Sequence, residues 1–94
     1  MAIINVGIET EHHNHWAYEV QLEDAGQCTD FNVTLSFVDY DLWSRGRVAP
    51  EKIIKAAFAF LLEREPLAKI KTKFDCSIIR RLFPEVDAEL PTMI

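Results

Sequence analysis

The feature that most constrains this chain is a run of seven consecutive apolar residues at positions 56–62. Seven residues make about two helical turns, so a helix there would be apolar on every side. Alanine and leucine, which favour helices, dominate the run. Pro50 suits the first position of a helix, whereas Pro66 cannot continue one. The sequence therefore predicts a central helix over residues 50–65 that other parts of the protein cover on several sides.

Two stretches before this helix carry a large apolar side chain at every second position. These side chains are Trp16, Tyr18, Val20 and Leu22 in the first stretch, and Phe31, Val33, Leu35 and Phe37 in the second. A period of two is typical of half-buried strands, and the polar loop between them predicts an antiparallel hairpin. Residues 2–8 alternate in part, with Ile4, Val6 and Ile8 on one side, and predict a third strand.

Shorter helices are predicted on both sides of the central one. Asp75 can cap a helix over residues 76–83, and Asp39 can cap one over residues 40–44. The predicted fold class is therefore α+β. It consists of an antiparallel hairpin, three-stranded if residues 2–8 pair with it, packed on a central helix and two or three shorter helices.

The length of 94 residues predicts a single domain over residues 1–94, with residues 1–14 and 86–94 as its less ordered parts. No apolar run approaches the roughly 20 residues that span a membrane. Two cysteines, Cys28 and Cys76, and the absence of a signal-peptide pattern favour a protein of the reducing cytoplasm with no membrane anchor. We expect these two thiols to stay unbridged.

Part of the sequence matches a known pattern. The matching residues include Tyr40, Gly46, Pro50, Phe74, Asp75, Ile79 and Phe83, with the densest match at Phe-Leu-Leu-Glu-Arg-Glu-Pro over residues 60–66. On these residues, spread over positions 16–86, the chain resembles a group of small bacterial proteins of similar length for which no activity is established. The resemblance implies a bacterial cytoplasmic origin and one compact domain, and it transfers no functional residue.

The net charge of −5 conceals a strong asymmetry. Residues 1–44 hold eight acids and no lysine or arginine, whereas residues 45–94 hold all ten basic residues and seven acids. The two parts therefore carry charges of −8 and +3. Either the acidic and basic parts face each other within one fold or one dimer, which we favour, or one of them binds a partner.

Three histidines, His12, His13 and His15, form the densest cluster of metal-ligand types, together with Glu9 and Glu11. Imidazole and carboxylate groups suit zinc or nickel, and in an extended chain His13 and His15 would share a side. The regularly spaced cysteines of a structural zinc site are missing. An exposed polar turn explains the segment more simply than a metal site.

Basic residues of the second half raise the possibility of nucleic-acid binding. They are Arg45, Arg47, Lys69, Lys71, Lys73, Arg80 and Arg81. The acidic balance of the whole chain argues against this function, because electrostatic attraction supplies most non-specific affinity for nucleic acid. The solvated side of amphipathic helices explains the same residues.

No phosphate-binding loop, nucleophile elbow or metalloprotease motif occurs, so we predict neither catalysis nor a cofactor. The leading hypothesis is a non-catalytic cytoplasmic protein that acts through a protein partner, which includes a homodimer formed through a helix face or the edge of the hairpin. Nucleic-acid binding and weak metal binding are the alternatives.

Overall fold

Two successive hairpins form the antiparallel part of a four-stranded sheet. The computed structural model describes residues 2–94. The strands are Ile3–Glu11 (β1), His15–Asp24 (β2), Gln27–Ser36 (β3) and Lys73–Asp75 (β4). Their order in the sheet is β1-β2-β3-β4, and β4 runs parallel to β3. The predicted α+β fold is confirmed, including the third strand formed by the N-terminal segment.

Four helices and two short 3-10 turns make up the rest of the described chain. The helices are Phe37–Ser44 (α1), Pro50–Leu62 (α2), Ser77–Leu82 (α3) and Val86–Glu89 (α4), and the 3-10 turns are Leu67–Lys69 and Leu90–Met93. None of these helices is long and apolar enough to cross a membrane.

The hairpin of β2 and β3 contributes the sheet side of the core. Its inward-facing side chains are at most 2% exposed, and they are Tyr18, Val20, Leu22, Phe31, Val33 and Leu35. The polar loop expected over residues 23–30 is replaced by a two-residue turn, because Asp24 pairs with Gln27. Ala25 and Gly26 both have positive φ angles, 54° and 79°. This geometry suits the right-handed twist of a tight hairpin.

Helix α2 crosses the covered face of the sheet. It ends at Leu62, three residues before the predicted end, as the chain turns through residues 63–65. The ring of Phe58 lies 5.1 Å from that of Phe31 in β3 and 5.7 Å from that of Phe74 in β4, measured between centroids. Within the apolar run only Ala59 and Leu62 are partly exposed, and the others are buried. The expectation that this run is covered on several sides is therefore confirmed.

Helix α1 is capped by a different residue from the one predicted. The hydroxyl of Ser36 accepts a hydrogen bond from the backbone N–H of Asp39 at 3.0 Å, so Ser36 and not Asp39 is the cap. Asp39 lies inside the first turn and is 4% exposed. Its Oδ1 forms an ion pair with Nη1 of Arg80 at 3.4 Å. Arg80 also contacts Asp87, which accepts a 2.8 Å hydrogen bond from Trp43.

The C-terminal segment covers the side of α2 that faces away from the sheet. Val86 and Leu90 are fully buried in the core. Arg64, just after α2, contacts Glu85 at 3.2 Å and Glu89 at 2.8 Å. The residues expected to be less ordered, 86–94, thus consist of regular turns that are held by these contacts and by two core side chains.

We expect Phe58→Ala to lower the free energy of unfolding by about 3–5 kcal/mol, because a large buried side chain leaves a cavity that its neighbours fill only in part. Urea denaturation followed by circular dichroism measures the loss. Phe58→Leu, which keeps most of the volume, should cost clearly less. A loss below about 1 kcal/mol for Phe58→Ala, the range of ordinary surface changes, would contradict its place in the core.

Candidate functional site

The helices cover one face of the sheet, and the other face, termed the open face, is turned outward. The open face consists of Ile3, Asn5, Ile8 and Thr10 of β1, Ala17, Glu19, Gln21 and Glu23 of β2, Cys28, Asp30, Asn32 and Thr34 of β3, and Lys73 and Asp75 of β4. None of these side chains is fully buried. A depression of about 530 Å³ lies in this face, between Ile8, Glu19, Asn32 and Lys73.

A bulge in β1 places an isoleucine on the open face. Gly7 and Ile8 together lie opposite the single residue Glu19 of β2. A side chain at Gly7 would put its Cβ 3.0 Å from the carbonyl oxygen of Glu19, so a larger residue there would push the two strands apart by a few tenths of an ångström. Ile8 is consequently 67% exposed. The prediction that it shares a side with Ile4 and Val6 is wrong, because a bulge reverses the alternation.

Carboxylates dominate one end of the open face. Glu19, Glu23 and Asp30 are exposed, and within residues 2–94 none of them forms an ion pair. The pKa of the Cys28 thiol is raised, by desolvation and by the neighbouring carboxylates of Glu23 and Asp30. Lysine and arginine do not occur in residues 1–44, so β1, β2 and β3 supply no compensating cation. This end of the sheet therefore presents a negative potential to the solvent.

The opposite end of the open face carries Asp75, whose two carboxylate oxygens both accept hydrogen bonds. Its Oδ1 accepts a hydrogen bond from the hydroxyl of Thr34 at 2.5 Å, and its Oδ2 accepts one from the N–H of Ser77 at 3.0 Å. Burial raises the pKa of Asp75, but the hydrogen bonds from Ser77 and Thr34 and the charge of His15 outweigh it and lower the pKa overall. Asp75 thus binds the first N–H of α3 from outside the helix, whereas the N-cap position itself is held by Cys76, whose side chain makes no capping hydrogen bond.

The histidines sit in the turn between β1 and β2. The rings of His12 and His15 stack with centroids 4.7 Å apart, and Nδ1 of His15 lies 2.8 Å from Oδ1 of Asn14. The expected pairing of His13 with His15 assumed an extended chain, whereas the turn brings His12 to His15. Among residues 2–94 no three ligand-type side chains are close enough to hold a metal ion. Metal binding by these histidines stays a prediction.

The basic residues considered for nucleic-acid binding lie on three separate elements. Arg45 and Arg47 follow α1, Lys69, Lys71 and Lys73 lie between α2 and α3, and Arg80 and Arg81 belong to α3. Arg80 is engaged by Asp39 and Asp87 at the protein surface. Nucleic-acid binding by this set stays a prediction.

The two thiols have different surroundings and are not bridged. Cys76 is fully buried, and burial raises the pKa of its thiol. Cys28, expected in a loop, lies in β3 opposite Glu23. Because a raised pKa reduces the thiolate fraction, neither cysteine is set up as a nucleophile at neutral pH.

No family model, no curated protein and no solved structure matches this chain. The resemblance to small bacterial proteins therefore stays a prediction.

We expect Ile8→Ser to change the free energy of unfolding by less than about 0.5 kcal/mol, as is usual for exposed positions. Val6→Ser is the matched control, because Val6 packs against the core from the same strand. It should cost more than about 1 kcal/mol, since it places a hydroxyl in an apolar contact. Urea denaturation of both variants measures the difference. Equal losses would show that Ile8 faces the core.

Asp75→Ala should lower stability at neutral pH by about 1.5–3 kcal/mol, the usual contribution of a hydrogen bond to a charged group, because it removes the bonds to Thr34 and Ser77. A carboxylate with a lowered pKa stabilises the fold above its unfolded pKa of about 3.9, and this stabilisation is lost as the pH falls through the lower folded value. The gap between the wild type and Asp75→Ala should therefore narrow below about pH 4.

Denaturation at several pH values tests this expectation. Asp75→Asn retains an oxygen acceptor without the charge and should lose less than Asp75→Ala at neutral pH. A gap that stays constant from neutral to acid pH would show that the ionised carboxylate of Asp75 adds nothing to stability.

Proposed function

We propose that this protein is a non-catalytic interaction module that binds a basic segment of another protein through its open face. One observation carries the proposal: three adjoining strands present exposed carboxylates and contain no lysine or arginine. An antiparallel sheet tolerates one solvated face, but a solvated face ordinarily mixes both signs of charge.

Electrostatics favours a positively charged partner. Glu19, Glu23 and Asp30 lie on adjacent strands, and Glu19 and Glu23 are four residues apart on β2. Glu19 and Glu23 are therefore about 13 Å apart along the strand, beyond the screening length of about 8 Å at physiological salt. Asp30 lies opposite Gln21, midway between them, and repels both as a diagonal neighbour at about 7–8 Å. A basic segment laid across them removes this repulsion, and complementary charge raises the rate of association and excludes acidic competitors.

Exposed apolar side chains on the same face offer the partner hydrophobic contacts in addition to charge. Ile3 and Ile8 of β1 are 55% and 67% exposed, and the depression of the open face is bounded by Ile8. Interfaces that persist combine a desolvated apolar centre with a polar rim. The occupant is therefore a lysine- or arginine-rich segment that also carries apolar side chains.

A second copy of the chain is a poor occupant of the open face. In a two-fold dimer each surface meets its own copy, so the carboxylates of Glu19, Glu23 and Asp30 would oppose one another. Homodimerisation through a helix face or through the edge of the hairpin does not involve this conflict and remains a separate prediction.

Binding of a fluorescent peptide rich in lysine, arginine and leucine tests the proposal by fluorescence anisotropy. The wild-type protein should bind it at low salt and lose affinity as salt rises. The variant E19K/E23K should weaken binding by about tenfold, because each reversed charge replaces an attraction by a repulsion.

The variant D41K/E51K is the matched control, since it changes the net charge equally at exposed positions of α1 and α2. It should weaken binding by less than about threefold, through long-range effects alone. Equal losses in both variants would mean that the peptide responds only to net charge. That result, or no binding by the wild type, would refute the open face as the binding surface.

A further inference from the structure

A second concave site lies on the opposite side of β4 from the open face. It is a groove of about 230 Å³ between the end of α2, the segment over residues 69–71 and α3. Leu61, Ile70 and Ile79 form its floor and are at most 7% exposed. Leu82 forms its outer wall and is 56% exposed. The groove is therefore an apolar slot that opens to solvent beside α3.

Two lysine side chains without an ion-pair partner among residues 2–94 line this groove. Lys69 and Lys71 both line it, on either side of the buried Ile70. Within residues 2–94 neither ammonium group forms an ion pair or a hydrogen bond. The nearby Arg64 and Arg80, in contrast, are each engaged by carboxylates. The positive charge at the groove is thus available to a ligand.

We propose that this groove binds a small amphiphilic monocarboxylate, in which a short aliphatic chain carries one carboxylate group. The aliphatic chain occupies the floor, and the carboxylate is bound by Lys69 and Lys71. The proposal is independent of the open face, because the two sites share no charged residue.

The size of the groove selects a small ligand. Pockets for drug-sized molecules usually enclose about 300–1,000 Å³, and this groove falls below that range. A helical peptide would need a longer channel that accepts several anchor side chains along its length. Glu65 also lines the groove and would repel a second negative charge, so a monoanion fits better than a dianion.

Chain length provides a quantitative signature of such a site. Each methylene that leaves water should raise affinity by about fourfold until the floor is filled. Affinity should therefore rise from butanoate to hexanoate and level off once the chain outgrows the groove. A site that merely collects anions would bind all of these carboxylates equally.

Titration of the ¹⁵N-labelled full chain, followed by its amide NMR spectrum, tests the proposal. The probes are butanoate, hexanoate, octanoate, neutral 1-hexanol and hexylammonium. Hexanoate should shift the amides around Ile70, Ile78 and Leu82, and it should bind about fivefold or more tightly than 1-hexanol because of the two lysines. Hexylammonium should bind more weakly than the alcohol.

The variant K69E/K71E should remove the preference for hexanoate over 1-hexanol. Its matched control is K52E/K55E, which changes the net charge equally at exposed positions of α2 outside the groove and should keep that preference. The variant L82D should weaken hexanoate and 1-hexanol alike. E19K/E23K should leave hexanoate binding unchanged, so failure at the open face is distinguishable from failure at the groove.

Three results would overturn the proposal. They are hexanoate shifts confined to amides outside the groove, equal affinity of the wild type for hexanoate and 1-hexanol, and an unchanged preference in K69E/K71E. The comparison of ligands on the wild-type protein remains decisive even if a variant fails to fold.

Discussion

The packing of Phe58 against Phe31 and Phe74 holds the two parts of the sheet to the helical layer. The ring centroids lie 5.1 Å and 5.7 Å apart, in the tilted arrangement that aromatic pairs prefer. Strand β4 pairs with β3 through only three residues, in parallel, and a parallel pair requires a long crossover connection. Helix α2 lies within that crossover. Its run of apolar residues follows from this position, because the sheet covers one side of the helix and the C-terminal segment covers another.

Two arginines join the elements that cover α2 and α1. Arg64 places its guanidinium 3.6 Å from the centre of the Phe60 ring and contacts Glu85 and Glu89. Stacking on a ring while holding two carboxylates suits the planar guanidinium and not the ammonium of lysine. Arg80 similarly joins α1 to the C-terminal segment. Among residues 2–94 only the pair of Arg80 with Asp39 joins the basic half of the chain to the acidic half. The favoured interpretation of the charge asymmetry therefore stays a prediction, and Glu19, Glu23 and Asp30 on the strands form no ion pair within the same residues.

Local patterns were sufficient to predict the hairpin and α2, because a period of two and an uninterrupted apolar run are properties of neighbouring residues. Contacts between residues far apart in the sequence were not predictable, because local patterns carry no information about them. Strand β4 pairs with β3 through three residues, with Phe74 opposite Val33, and a stretch of three residues carries no recognisable periodicity. The bulge at Gly7 and Ile8 depends on the approach of β2. The acids of the open face could have been found from the sequence, since Glu19 and Glu23 occupy the polar phase of a predicted strand.

The bulge in β1 changes which side chains the two faces of the sheet present. A regular strand would have kept Ile8 in phase with Ile4 and Val6, toward the core. The bulge instead exposes Ile8 and contains Gly7, a residue that loses more conformational freedom on folding than any other. Both effects oppose stability, but the same bulge places Glu9 opposite Tyr18, whose hydroxyl donates a hydrogen bond to Glu9. Departures of this kind from local rules are expected at functional sites, and here the departure borders the depression beside Glu19, on the face that carries the unpaired acids.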